Sequence, residues 1–281
     1  MIVLITAAAA LLVALRVWRW TDQRADRAAW QRLAAHQLGS PDTFDPTMVD
    51  DLPGPARRFF RFAIRPGTPL RVVAEVSMSG ELSLGRREKP NYLPMRAEQV
   101  LAVPYGFVWK VRAGNGVWIA GSDCAVGATS WSRFWLLGIV PVARAGHNAD
   151  HARSAFGRSV AEALFWTPAA LLPGAHVRWQ SVDDATARVI VAWGGLEQAV
   201  DVCVDGEGRL TRLVFPRWSD ANPAKRFQLQ PFGGTAGEFR EFAGFRLPTR
   251  VEGGNFFGTA DYFPFFKANV SAVRFPPPGG V

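Results

Sequence analysis

The side chains best suited to chemistry are charged residues set among apolar ones. Arg158 and Glu162 stand four apart in the segment Ala152–Phe165, so on a helix they are neighbours on one face. On a solvated face such a pair contributes only a few tenths of a kcal/mol. Partly buried in an apolar pocket, the same pair would orient an amphipathic ligand, with Trp166, Trp179 and Trp218 as apolar walls. His147-Asn-Ala-Asp150-His151 is the most metal-like run. A metal needs three or four converging ligands, and no third His or Cys is near, so surface histidines with Asp150 as a helix cap explain the run and no metal is expected. Asp150, His151 and Ser154 are the residue types of a hydrolase triad, but one helical turn cannot align nucleophile, base and orienting group, and the chain has no Gly-x-Ser-x-Gly elbow. Asp50-Asp51, Asp183-Asp184 and Asp205/Glu207 lie at turns, where Asp serves the backbone. A glycosidase-type pair would need carboxylates from separate strands facing one cleft. Gly233-Gly-Thr-Ala-Gly237 lies between strand candidates and reads as a hairpin turn rather than a phosphate loop. No catalytic residue and no cofactor is expected.

These residues must be positioned by elements whose periodicity changes along the chain. Asp51–Ile64 has the pattern of a short helix opened by Pro55. From Leu70 the period becomes two, with strand candidates at Arg71–Met78, Gly80–Leu84, Met95–Val103, Gly106–Arg112, Gly116–Cys124 and Thr129–Leu136. The helix Ala152–Phe165 follows, with Phe156, Val160, Ala163 and Leu164 as its apolar stripe. Further strands are expected at His176–Val182, Thr186–Trp193, Leu196–Val204, Leu210–Phe215, Phe227–Gln230, Ala236–Phe242, Arg246–Glu252 and Ala268–Phe275, and Pro276–Val281 reads as a tail. Turns such as Ala113-Gly-Asn-Gly116 and Asp205-Gly-Glu-Gly208 carry hairpin chemistry. The fold class is therefore mainly β (α+β), a large antiparallel sheet or open barrel, with the helix covering its concave face. Eleven Trp and twenty Phe against three Tyr give an unusually apolar aromatic load. It fills a large core or lines a greasy concave surface. Cys124 and Cys203 fall in strand-like runs and read as small buried hydrophobes.

The N-terminus is of a different kind. Ile2–Leu15 is uncharged and apolar, and Val17, Trp18 and Trp20 extend it past Arg16. A spanning helix needs roughly 17–25 such residues, which this run reaches if Arg16 and Arg19 snorkel and the two Trp sit at the interface. A cleaved signal would have its basic residues ahead of the apolar run. Here Arg16, Arg19, Arg24, Arg27 and Arg32 follow it, with no small-x-small site between, so an uncleaved single-pass inner-membrane anchor is expected. Basic residues on that flank favour a cytoplasmic domain. Thr21–Gln37 reads as a polar helix prolonging the anchor, capped at Thr21 or Asp22 and stopped by Gly39-Ser40-Pro41. The expected division is 1–20 transmembrane anchor, 21–49 helical juxtamembrane linker and 50–281 β domain. The net charge of +8 is almost all Arg, spread along the chain, so no nucleic-acid partner is expected.

Several stretches also resemble a widespread bacterial family of unknown function: Arg153-Ser-Ala-Phe-Gly-Arg-Ser-Val-Ala-Glu162 through Leu171-Leu-Pro173, Phe215-Pro-Arg-Trp218, Gln230-Pro-Phe-Gly-Gly234, Phe245-Arg-Leu-Pro-Thr249 and Leu52-Pro-Gly-Pro-Ala-Arg-Arg-Phe-Phe60. The resemblance covers roughly residues 50–275 and departs at Phe165-Trp166, where the family pattern sets the Trp one position earlier. That family is similar in shape to LolA/LolB-like lipoprotein carriers, which implies a half-barrel with a cavity suited to lipid and an outer-side location, opposite to the flanking-charge expectation. It brings no catalytic residues to transfer. The expected function is membrane-tethered binding of a lipid or other hydrophobic ligand, with Arg158, Glu162, Trp166, Trp179 and Trp218 as contacts; an enzyme using a carboxylate or the His/Asp cluster, or a ligand-free scaffold, are the alternatives.

Overall fold

The computed structural model describes residues 2–39 and 42–278. Ser40 and Pro41 of the expected helix stop, and residues 279–281 of the expected tail, lie outside the described residues. Three α-helices accompany the strands: α1 (Ile2–Ala34), α2 (Gly54–Ala63) and α3 (Ala149–Trp166). The strands are β1 (Ala74–Ser83), β2 (Tyr92–Ala102), β3 (Gly106–Ala113), β4 (Ile119–Val126), β5 (Thr129–Leu136), β6 (Val140–Gly146), β7 (Val177–Ser181), β8 (Thr186–Trp193), β9 (Leu196–Val204), β10 (Leu210–Ser219), β11 (Gln228–Phe242), β12 (Phe245–Asn255) and β13 (Phe263–Arg274). All thirteen form one antiparallel sheet in the order β6-β5-β4-β3-β2-β1-β13-β12-β11-β10-β9-β8-β7. Two meanders meet where β1 pairs with β13, and α3 carries the chain from one edge strand to the other.

The contacts of α3 require the sheet to curl. This helix packs against β5 in one wing and β10 in the other, which in a flat sheet would lie eight spacings of about 4.8 Å, roughly 38 Å, apart. A helix about 10 Å wide touches both only from inside a trough. The main core fills that trough, with Phe156, Val160, Leu164 and Trp166 of α3 facing inward residues of both wings such as Phe107, Val202 and Leu247. Helix α2 closes it against β7, β8, β9 and β12, with Phe59, Phe60 and Ala63 buried and Pro55 at its first turn as expected. The edges are short, and β6 carries Pro141, which limits pairing with further strands.

Three expectations change. The separate strand candidates Arg71–Met78 and Gly80–Leu84 merge into one strand, β1, and Gly80 in its middle lies so close to the backbone of Lys267 that a Cβ would overlap it. Likewise Gly233-Gly-Thr-Ala-Gly237 is the middle of β11 rather than a turn, with Gly233 and Gly234 paired to Val214 and Leu213 on one side and to Gly254 and Gly253 on the other. Strand β6 has no counterpart among the strand candidates, because its Val140-Pro-Val-Ala-Arg-Ala-Gly146 lacks a clear alternation.

The largest change concerns α1. The helix runs unbroken through Thr21, whose hydroxyl bonds back to the Trp18 carbonyl, so neither Thr21 nor Asp22 is a cap. Asp22, Asp26, Ala29 and Leu33 are buried on the convex face against β2, β3 and β4. Their spacing of four, three and four places them on one helical stripe. A second core cluster forms there from Ala29, Leu33, Val100, Val108, Cys124 and Trp131. Residues 22–33, expected as part of a linker, are thus packed on the sheet. Both cysteines are buried and free.

Candidate functional site

Beneath α3 lies a cavity of about 210 Å³. Its floor comes from β10 (Leu213, Phe215, Arg217), β11 (Phe232, Gly233, Gly234) and β12 (Val251, Glu252, Gly253). Its roof is the Arg158, Ala161, Glu162, Phe165 and Trp166 face of α3, and Leu82, Trp109, Asp123, Phe134, Phe265 and Phe266 complete the walls. The alternation of each strand delivers these side chains inward. Gly253 of β12 contributes no side chain, and a Cβ there would meet only ordinary contacts, which leaves room at the floor.

Polar groups enter this apolar space as a defined cluster. Arg158 Nε donates to Glu162 Oε1 at 2.7 Å and its Nη1 to Asp123 Oδ2 at 2.9 Å. The guanidinium also lies 4.6 Å from the Phe107 ring centre and 5.2 Å from that of Trp109, within cation–π range. The Gln99 side-chain amide donates to the other oxygen of Glu162. Burial alone would lower the Arg158 pKa, but the charges of Glu162 and Asp123 and the hydrogen bonds to them outweigh it and raise it, so Arg158 stays charged. Arg217 has no such partners. Burial, reinforced by the positive charge of Arg158, pushes its pKa down to about 10. Its Nε is buried without a hydrogen-bond partner, as are the indole Nε1 atoms of Trp109 and Trp166.

Of the five expected contacts, Arg158, Glu162 and Trp166 line the cavity. Trp179 does not: its Nε1 donates to the Leu171 carbonyl at 2.9 Å, and its ring packs on Phe59 and Phe60 of α2. Trp218 does not either, because it sits near the start of α3, donating to Asp150 Oδ1 at 2.8 Å under the Arg153 guanidinium. Sequence reading missed Asp123, Gln99, Trp109 and Arg217, which come from β4, β2, β3 and β10. Only the inward phase of Arg217 with Leu213 and Phe215, four and two residues before it, was a local signal.

The His147/Asp150/His151 run does not converge. Asn148, not Asp150, caps α3, accepting from the His151 N–H at 2.8 Å. Asp150 is engaged by Trp218, and the His151 ring nitrogens lie 2.9 and 3.1 Å from the hydroxyls of Ser130 and Ser132. Burial lowers the His151 pKa. His147 precedes the helix and stacks on Trp131. Among the described residues no group of three or more His, Cys, Asp or Glu could hold a metal ion.

A wider trough of about 710 Å³ lies on the convex face beside α1. It is open, and many of its charged walls are already paired, Lys110 with Glu98 and Asp22 with Arg133 and Arg144.

The model of the family of unknown function DUF6544 matches residues 42–268. The chain belongs to DUF6544. The cavity under α3 therefore lies within the part of the chain that defines DUF6544. No curated protein matches the sequence. Among solved structures, this DUF6544 chain is similar to a LolA superfamily protein from Nitrosomonas europaea, at 10% identity and a TM-score of 0.42 over 79% of this chain and 91% of that one. It is also similar to a DUF1329 family protein from Desulfovibrio piger, at 11% identity and a TM-score of 0.39 over 83% and 94%. A domain from Vibrio parahaemolyticus, described as an outer membrane lipoprotein-sorting protein domain, gives 10% identity and a TM-score of 0.36 over 72% and 85%.

Proposed function

We propose that this protein holds a lipid or other hydrophobic ligand between its concave sheet and α3, while the apolar end of α1 tethers it to the inner membrane as a single-pass chain. The observation that carries the ligand reading is the cavity of about 210 Å³ in the middle of an aromatic core. Packed interiors leave few voids larger than a water, and this one has apolar walls with a few polar groups collected among them, the usual make-up of a small-molecule site.

The tether reading rests on α1 and its surroundings. Among the described residues it is the one helix long and apolar enough to cross a membrane, and residues 2–14 are exposed. Contact with the domain begins at Trp18, whose ring meets that of Trp135 edge-on at 5.5 Å. Beside it, the β5–β6 turn and β6 expose Leu137, Val140 and Val142, and the β3–β4 turn exposes Val117. The Leu137 N–H donates to the Trp118 carbonyl, joining the two turns. Exposed apolar turns at the root of an apolar helix suit a domain seated on the bilayer interface. The chain then divides near Val17, with the anchor before it and one folded unit after it.

Because residues 2–14 are exposed along the whole run, a chain lacking 2–17 can be purified without detergent. Native mass spectrometry is expected to show a co-purified apolar species or uptake of added lipid. A clean ligand-free mass that takes up nothing would count against the reading.

A further inference from the structure

We propose that the cavity under α3 selects a single-chain amphiphile with a carboxylate head, received by Arg217 together with the indole N–H groups of Trp109 and Trp166. This rests on the reading of the cavity as a ligand site.

Of the two guanidiniums in the cavity, Arg158 is committed to Asp123 and Glu162, and Glu162 is further occupied by Gln99. Arg217 enters from β10 and makes no side-chain hydrogen bond or ion pair among the described residues; its Cζ lies 4.8 Å from the Phe232 ring, and the charges of Asp123, Glu162 and Asp220 act on it without bonding it. Three of the residues lining this cavity carry a buried nitrogen without a partner: Arg217 Nε, Trp109 Nε1 and Trp166 Nε1. Buried polar groups are otherwise almost always hydrogen-bonded, and each exception calls for an explanation.

All three are donors, and neither an indole nor a guanidinium can accept. The missing partner is therefore an acceptor. A water would satisfy single N–H groups but would leave the Arg217 guanidinium without a directly bonded counter-charge, because the carboxylates of the cluster, Asp123 and Glu162, are bonded to Arg158. An anion satisfies both the donors and the charge, through the stronger charge-assisted bonds.

The charge of that anion is bounded too. Asp123 and Glu162 carry two negative charges against the one of Arg158, so with Arg217 the cluster is balanced. A phosphate monoester, at about −1.5 to −2, would add its full repulsion to both carboxylates, whereas a carboxylate adds a single charge at the guanidinium. Size sets the tail. At about 30 Å³ per water, the cavity of about 210 Å³ holds roughly seven water-sized groups, a carboxylate and a short run of methylenes. A two-chain lipid does not fit inside, and a longer single chain would extend beyond it.

The test uses the whole chain in lipid nanodiscs, with empty nanodiscs as blank and tryptophan fluorescence as readout. Hexanoate is expected to bind at least about tenfold more tightly than 1-hexanol. Arg217→Met should abolish that preference while leaving 1-hexanol binding unchanged, and Arg217→Lys should keep part of it. Equal binding of hexanoate and 1-hexanol would overturn the carboxylate assignment while leaving the hydrophobic-ligand reading intact, and so would hexanoate binding unchanged in Arg217→Met. Tighter binding of hexyl phosphate than of hexanoate would overturn it in favour of a dianion. Binding of none of these probes at millimolar concentration would remove both readings. If Arg217→Met fails to fold, the wild-type ligand series and Arg217→Lys still decide.

Discussion

Replacing Arg158 by Met would strand Asp123 and Glu162, whose oxygens lie 2.9 and 2.7 Å from its guanidinium, in apolar surroundings. Breaking a buried pair from one side costs roughly 3–5 kcal/mol. Because the three side chains keep 16–23% of their exposure, the lower end, about 3 kcal/mol, is expected in denaturant unfolding. A similar logic governs the two acids that dock α1, with opposite signs. Burial pushes Asp22 up, but hydrogen bonds from Arg144 and Trp135 and the charges of Arg144 and Arg133 prevail and hold it below the ordinary carboxylate range. Its stabilisation is complete above the unfolded value of about 3.9 and is lost as pH falls through the folded one. Asp26 is raised by burial, against hydrogen bonds from Ser122 and Trp131. Its charge therefore weakens docking as pH rises through that raised value. At neutral pH, Asp22→Asn should cost about 1.5–3 kcal/mol and speed amide exchange in residues 22–34. Asp26→Asn keeps an acceptor for Ser122 and Trp131 and should leave that exchange unchanged or slower.

The seating of α3 depends on Gly157. A Cβ there would lie 2.5 Å from Gln198 Oε1 and 3.6 Å from the Phe215 ring, and the Gln198 amide is held in turn by the Ala199 carbonyl at 2.7 Å. Ala is the better helix former by about 1 kcal/mol, so an exposed Gly→Ala would stabilise. At Gly157, overpacking of roughly 1–3 kcal/mol opposes that gain, and thermal melting should show net destabilisation. The same element carries five of the cavity-lining residues, so lifting α3 should also weaken hexanoate binding. Gly253 presents the contrary case. A Cβ there meets only ordinary contacts at 3.6–3.9 Å, so Gly253→Ala should fold normally, with any loss confined to ligand uptake.

For the molecule as a whole, α1 is one unbroken helix whose later part packs on the sheet and whose apolar first part carries the proposed tether. Residues 2–17 extend ~24 Å at 1.5 Å per residue, less than the roughly 30 Å hydrocarbon core. The apolar turns around Leu137 and Val117 make up the difference at the interface if the domain rests on the bilayer. Deleting residues 2–17 is expected to move the protein from the membrane to the soluble fraction with little change in melting temperature. In the full chain, Leu137, Val140 and Val142 changed together to Ser should speed extraction by mild detergent. The arginines after the apolar run favour a cytoplasmic domain, which a C-terminal reporter active on one side of the membrane reads directly.

The sequence by itself determined the elements whose periodicity is local. The bounds of β5, β8 and β9 were legible to the residue, as was the Arg158–Glu162 pair on α3, because turns and i,i+4 spacing act within a few residues. The apolar character of Ile2–Leu15 was equally plain. Tertiary structure alone decided which polar residues became interior. Asp22 and Asp26 occupy the helical stripe where apolar residues would be sought, and their burial is tolerable only because Trp135, Arg144, Ser122 and Trp131 meet them from far along the chain. Gly233 and Gly234 read as a turn, yet lie mid-strand because backbones on both sides come too close for a side chain. The cavity belongs to the same class. Asp123, Trp109 and Arg217 join Arg158 only when the sheet curls round α3, and that curl is a property of thirteen paired strands together rather than of any one of them.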